Sequence, residues 1–252
     1  MPNHSNDTGI TAPVFAMLCL LLSGTAQAVS LGQIDTFGDG LQGWRMGFSQ
    51  TTADHMAIIA DGGPDADADG IGDSYLQVNS DSTEPFGGRR LTFFNTDQWQ
   101  GDYTAAGITA IAMDVKNFSP NEVLNLRLGI NGGFVDSTGT SIIGGTFTTS
   151  IISLVSSPNW TRVVFSLLPG DLIASDVGKS SNTPGNDVQA TLANVWELRL
   201  LNSATASWAG APVTATLGVD NIQAVPLPPA LALFASGLVV LLPRRRKQNL
   251  QS

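Results

Sequence analysis

The nine residues "VLNLRLGIN" (123–131) constrain the fold more than any other part of the chain. Leu124, Leu126, Leu128 and Ile130 fall on one face of an extended strand, and Asn125 and Arg127 fall on the other. Successive side chains of a strand point to opposite sides, so this spacing predicts a half-buried β-strand. The pattern recurs. "ITAIAMDVKNF" (108–118), "NWTRVVFSL" (159–167), "VWELRLLN" (195–202) and "ATLGVDNIQAV" (215–225) repeat it. "GWRMGFS", "HMAIIA", "SYLQVNS", "RRLTFFN" and "GTFTTSIISLV" bring the expected strands to roughly ten, separated by Gly, Pro, Asn and Asp clusters. No stretch sustains a helical period and no repeat of fixed length appears. The fold class predicted is all-β, a sandwich or a barrel.

The two ends read differently. "APVFAMLCLLLSGTAQAVS" has an apolar run over 14–22, then small residues and Ala26-Gln27-Ala28. That is the form of a secretory signal peptide, here 1–28. Cys19 is the chain's single cysteine and lies inside the run, so the mature protein is expected to have neither disulfides nor thiol chemistry. The tail, "VPLPPALALFASGLVVLLPRRRKQNLQS", places a proline step before an uncharged run over 230–242 and a basic cluster after it. Thirteen uncharged residues are fewer than the roughly 20 of an ordinary spanning helix. With basic residues snorkelling at its end, the run suits a short stop-transfer element that keeps the body outside. A packed C-terminal helix is the competing reading.

Residues 29–225 remain as one domain. Eight of the twelve Lys and Arg and twenty of the twenty-one Asp and Glu lie there, a net charge near −12. Such a charge argues against nucleic acid and anionic surfaces as partners and suits calcium, neutral glycans or solubility.

The tail motif resembles the PEP-CTERM sorting signal of Gram-negative bacteria over 225–247. Pro226-Leu227-Pro228 stands where that family carries Pro-Glu-Pro, and Arg244, Arg245 and Arg246 form the basic end. The resemblance implies export through the inner membrane, recognition by an exosortase-type membrane protease at a segment spanning 226–248, and an association with the cell surface or an extracellular polysaccharide. "FGDGLQGW" (37–44), "WTRVVFSL" (160–167) and "LGVDNIQAV" (217–225) resemble, in order, strands of jelly-roll carbohydrate-binding modules and galactose-binding-like domains. That resemblance implies a jelly-roll β-sandwich, often with a structural calcium ion near the termini; the two end segments are expected to flank it as an N-terminal signal helix and a short C-terminal hydrophobic helix.

Calcium has a local candidate as well. In "DGGPDADADGIGDSYL", Asp65, Asp67 and Asp69 alternate, Gly70 follows, and Asp73 closes the group. Alternating carboxylates can converge on one hard cation, with glycine allowing the turn. Leu76 occupies the twelfth position, where an EF-hand has a bidentate Glu. The alternative is a solvated Asp/Gly turn. Asp220, which interrupts an apolar strand, is the second candidate, because the resemblance places a calcium ligand on the terminal strand. Asp35, or the backbone near Phe37, would complete that site. An outward Asp before a bend is the other reading.

Sugar binding needs flat apolar faces rimmed by polar groups. Trp44, Trp160 and Trp196 sit in apolar, strand-like contexts and read as core. Trp99, with Tyr103 beside it, and Trp208 sit in polar, Gly-containing stretches and read as surface platforms for glycan, or as caps on the sandwich end. For catalysis the signals are poor. Of the two histidines only His55 outlasts the signal, no G-x-S-x-G elbow accompanies it, and Glu197 beside Arg199 reads as a solvent-facing strand residue. The expectation is a non-enzymatic, surface-sorted protein that binds glycan or belongs to an exopolysaccharide matrix. A structural surface protein without specific ligand, or a glycoside-active enzyme, are the alternatives.

Overall fold

The run 215–225 organises the molecule. In the computed structural model of the chain, which describes residues 28–47, 49–64, 73–85, 87–132, 145–175 and 187–226, it forms a single strand of 11 residues paired on both sides. In chain order the strands are β1 (Ile34–Asp35), β2 (Trp44–Arg45), β3 (Met56–Ile59), β4 (Tyr75–Ser80), β5 (Thr92–Asn95), β6 (Ala110–Asn117), β7 (Leu124–Asn131), β8 (Thr146–Thr148), β9 (Ile152–Leu154), β10 (Thr161–Ser166), β11 (Ile173–Ala174), β12 (Glu197–Asn202) and β13 (Ala215–Val225). Among the described residues two short α-helices interrupt them, α1 (Ser49–His55) and α2 (Val188–Leu192), with a 3-10 turn at Pro169–Asp171.

The strands make two antiparallel sheets. One has six strands in the order β10-β6-β13-β4-β3, with β1 also on β13. The other has seven, β11-β8-β7-β12-β5-β2, with β9 also on β7. The fold is the expected jelly-roll β-sandwich, with the chain crossing between sheets several times. The inner faces supply the core. Ile111, Met113, Val115, Leu217 and Val219 of the six-stranded sheet meet Leu124, Leu126, Leu128, Ile130, Phe93, Leu198 and Leu200 of the seven-stranded one. The alternation in 123–131 therefore has the orientation its spacing predicts, with Asn125 and Arg127 on the far side.

Local chemistry sets the interruptions. Asp187 caps α2 by accepting from the Gln189 and Ala190 N–H groups at 2.9 and 3.1 Å, the usual role of Asp at an N-cap. In α1, the Thr52 hydroxyl both accepts from the Met46 N–H (2.9 Å) and donates to the Met46 carbonyl (3.0 Å), tying the helix back to the end of β2. A bulge between Asp220 and Gln223, with Asn221 at φ 49°, bends β13.

No helix among the described residues is long and apolar enough to cross a membrane. Apart from Ala28 and the exposed Pro226, the signal segment 1–28 and the sorting segment 226–248, with Leu227, Pro228, Arg244, Arg245 and Arg246, lie outside the described residues.

Candidate functional site

Trp99 and Tyr103 are not surface platforms. Both are 0 % exposed. The reason is Asp35. Its Oδ2 accepts from the indole N–H of Trp44 at 2.7 Å and from that of Trp99 at 2.6 Å, while the Gln98 amide donates to both oxygens at 3.3–3.4 Å. A buried carboxylate thus supplies the acceptor that lets two indoles leave water. The Tyr103 hydroxyl donates to the Trp99 carbonyl at 2.8 Å, and burial pushes its ionisation far above the ordinary tyrosine range. Burial also raises the Asp35 carboxyl, against the lowering effect of its indole and amide donors. Asp35 therefore serves the core as the acceptor for both indoles.

Trp208 is 9 % exposed and is likewise unavailable for stacking. Its loop folds over the outer face of the seven-stranded sheet. There the ring lies where a Cβ on Gly129 would come within 2.9 Å, and the Arg199 guanidinium covers it at 4.2 Å. Gly129→Ala is expected to push this ring off the sheet and lower stability by about 1–3 kcal/mol, read by thermal unfolding with tryptophan fluorescence as the second probe. The apolar-context tryptophans also divide. Trp44 is core, but Trp160 is half-buried and Trp196 is 45 % exposed. His55 ends α1, where its Nδ1 donates to the Asn79 carbonyl at 3.2 Å.

The outer face of the six-stranded sheet gathers the acidic residues. Asp220 is 1 % exposed, not outward in solvent. Its Oδ1 accepts from the Asn221 N–H at 2.7 Å, and its Oδ2 is buried with no hydrogen-bond partner. Asp114 stands directly opposite on β6, held by the Arg162 guanidinium at 3.1 Å and the Asn221 amide at 2.9 Å. Gly62, Gly63 and Asp73 are tied to this region. The Trp160 indole donates to the Gly62 carbonyl (3.0 Å), and the Gly63 N–H donates to the Asp73 carbonyl (2.7 Å). Burial pushes the Asp220 carboxyl up to about 7. The neighbouring charges of Asp114 and Asp73 add to the rise, and the Asn221 N–H and Arg162 oppose it. Asp73 and Asp220, far apart in sequence, are thus brought within electrostatic reach of each other. Asp65, Asp67 and Asp69 lie outside the described residues. Among the described residues no group of three or more His, Cys, Asp or Glu side chains could hold a metal ion.

The outer face of the seven-stranded sheet carries the opposite charge. Strand register aligns Arg45 (β2), Phe94 (β5), Arg199 (β12), Gly129 (β7) and Thr148 (β8) in one row. Arg45 and Arg199 sit 5.3 and 5.2 Å from the Phe94 ring centroid, within cation–π range. Arg199 is fixed further by Glu197, whose Oε1 is 2.6 Å from Nη2 and accepts from Nε at 2.7 Å. Its Nη1 donates to the Trp208 carbonyl at 2.9 Å. Glu197 is buried, not solvent-facing, and burial holds its carboxyl above the ordinary glutamate range even with Arg199 against it. Beside this row opens a cleft of about 180 Å³, lined by Arg90, Thr92, Phe94 and Arg199 with two glycines and an alanine. The sequence reading did not single these residues out. The signal was there in "RRLTFFN": Arg90, Thr92 and Phe94 share a phase opposite to the core residues Leu91 and Phe93.

No family model matches the chain, and no curated protein does. Solved structures of similar shape include a family 11 carbohydrate-binding module from Clostridium thermocellum in complex with a β-1,3-1,4-mixed-linked tetrasaccharide. It is 14 % identical, over 78 % of this chain and 96 % of that one, with a TM-score of 0.44. An exo-β-agarase is 13 % identical over 79 % of this chain, TM-score 0.49, and the match spans 26 % of the agarase chain. The K1 cleaved adhesin domain of Lys-gingipain from Porphyromonas gingivalis W83 is 7 % identical over 77 % of this chain and 97 % of that one, TM-score 0.40. These are likenesses of backbone shape, and the two-sheet sandwich stands on the strand pairing itself.

Proposed function

We propose that the chain is an exported, surface-sorted protein that binds glycan and does not cleave it. The observation that carries the binding is the cleft on the seven-stranded sheet. An aromatic ring, guanidinium donors and a hydroxyl converge there, which is what a polyhydroxylated ring requires. Its volume is below the roughly 300–1,000 Å³ of drug-sized sites, a size suited to one sugar unit of a longer chain. Binding is favoured over hydrolysis because glycosidases place two carboxyl groups across the scissile bond. The residues lining this cleft are Arg, Thr, Phe, Gly and Ala, and the nearest strand acid, Glu197, is engaged by Arg199. Export and handover to an exosortase-type protease rest on the signal-like segment and on the motif from Pro226 to Arg246. Retention of the protein in gels containing soluble polysaccharides tests the reading. Delayed migration in at least one glycan supports it, and unchanged migration in every glycan, including the producing cell's own matrix, removes it.

The same reading gives calcium a structural place on the opposite sheet. The orphaned buried oxygen of Asp220, with Asp73 in electrostatic reach, fits a hard cation that takes oxygen ligands. A bound cation would neutralise this face. Asp220→Asn separates the two roles of the carboxylate. In chelator it is expected to melt higher than the parent by roughly 2–10 °C, because it removes an unpartnered buried charge costing about 1–3 kcal/mol. Added calcium is expected to raise the melting temperature of the parent and leave the variant unmoved. An equal calcium response in both proteins would remove the assignment.

A further inference from the structure

Resting on the glycan reading above, we propose that the cleft on the seven-stranded sheet selects an anionic sugar unit, one bearing a carboxylate or a sulfate ester, with Arg90 as the group that meets the anion. A body of net charge near −12 argues at first sight for neutral partners. The charge is not spread evenly, however. The strands of the seven-stranded sheet carry Arg45, Arg127 and Arg199 against a single acid, Glu197, whereas those of the six-stranded sheet carry Asp35, Asp114 and Asp220 against Lys116 and Arg162. Arg90 adds a further cation beside the first group, at the cleft. At physiological ionic strength the screening length is about 8 Å, so a ligand in the cleft responds to these arginines rather than to acids on the far sheet.

The arginines at the cleft are not equivalent. Arg199 is engaged by Glu197, by the Trp208 carbonyl and by two aromatic rings. It builds the wall. Arg90 pairs through its backbone with Pro212, but its side chain has no ion pair among the described residues, and its Nε is buried without a hydrogen-bond partner. Buried donors nearly always find acceptors, and a guanidinium fork matches the paired oxygens of a carboxylate or sulfate. Neutral hydroxyls would leave that positive charge uncompensated. Thr92, whose hydroxyl donates to the Ala209 carbonyl at 3.1 Å, and Phe94 complete a wall against which a sugar ring can lie while its anion turns toward Arg90.

The test is affinity electrophoresis of the intact protein at physiological salt in three sets of gels: a polyuronate, a sulfated galactan, and neutral agarose or β-glucan. The parent runs beside Arg90→Gln, Arg90→Lys and Lys116→Gln, the last a matched loss of charge on the opposite sheet. The expected result is retention in the polyuronate or the sulfated gel, weakened at least tenfold by Arg90→Gln, weakened less by Arg90→Lys, and unchanged by Lys116→Gln. The gel that retains the parent says which anion is taken. Retention in neutral gels alone overturns the anionic assignment and leaves glycan binding standing. Equal losses in Arg90→Gln and Lys116→Gln overturn the role of Arg90. No retention in any gel overturns both this inference and the function on which it rests. Melting temperatures of the variants within a few degrees of the parent establish that a lost retention is a lost contact.

Discussion

Asp35→Ala is expected to lower the melting temperature by about 5–20 °C. The carboxylate is the acceptor for the Trp44 and Trp99 indoles, both buried, and its removal strands two donors. Each stranded donor costs about 1–3 kcal/mol, and in a domain of this size each kcal/mol corresponds to about 2–4 °C. Asp35→Asn keeps an acceptor oxygen and should lose far less. The pH dependence has a definite sign. Because the folded-state carboxyl lies above its ordinary 3.8, protonation favours the fold. The stability Asp35 contributes is present in full below about 3.8 and is lost as pH rises through the raised folded value. The Asn variant lacks this term, so it should gain on the parent as pH rises from about 4. A drop of under 3 °C in Asp35→Ala, or a parent–Asn gap that does not change with pH, would count against this account of the core.

Arg199→Ala is the second large effect. The change unpairs Glu197, which is buried, and takes the guanidinium from between Phe94 and Trp208. Breaking one side of a buried pair costs about 3–5 kcal/mol, whereas replacing both members by apolar residues is often neutral. Arg199→Ala should therefore melt roughly 6–20 °C lower, and Arg199→Met combined with Glu197→Leu should recover most of that loss. If the double variant is as unstable as the single one, the pair is not what holds Trp208 to the sheet.

The long alternating runs were legible because burial on one face leaves a period-two signature. The strand 215–225 has the bounds its sequence suggested, and 123–131 differs by one residue. The two-residue strands β1 and β11 carry no pattern long enough to read, and the seven residues of α1 are too few to show a helical period. Tryptophans were misassigned for a physical reason. Local polarity did not reveal that Asp35, 64 residues away, supplies the Trp99 acceptor, or that the loop bearing Trp208 folds onto a glycine in β7. Trp196 shows the converse, since its apolar neighbours point inward while it lies where the sheet ends. The acidic site was half legible: composition marked Asp73 and Asp220, but only the antiparallel pairing puts Asp114 opposite Asp220. The cleft was legible in phase alone, through Phe94 on the solvent side of its strand.

The docking site of a glycan decides the proposed function. Amide chemical shifts of the isotope-labelled protein, titrated with an oligosaccharide from whichever polysaccharide retains it, measure this directly. Shifts confined to Arg45, Arg90, Thr92, Phe94, Arg199 and Ala209 are the predicted result. Saturable shifts on the opposite sheet, around Asp114 and Asp220, with the arginine face unmoved, would contradict it.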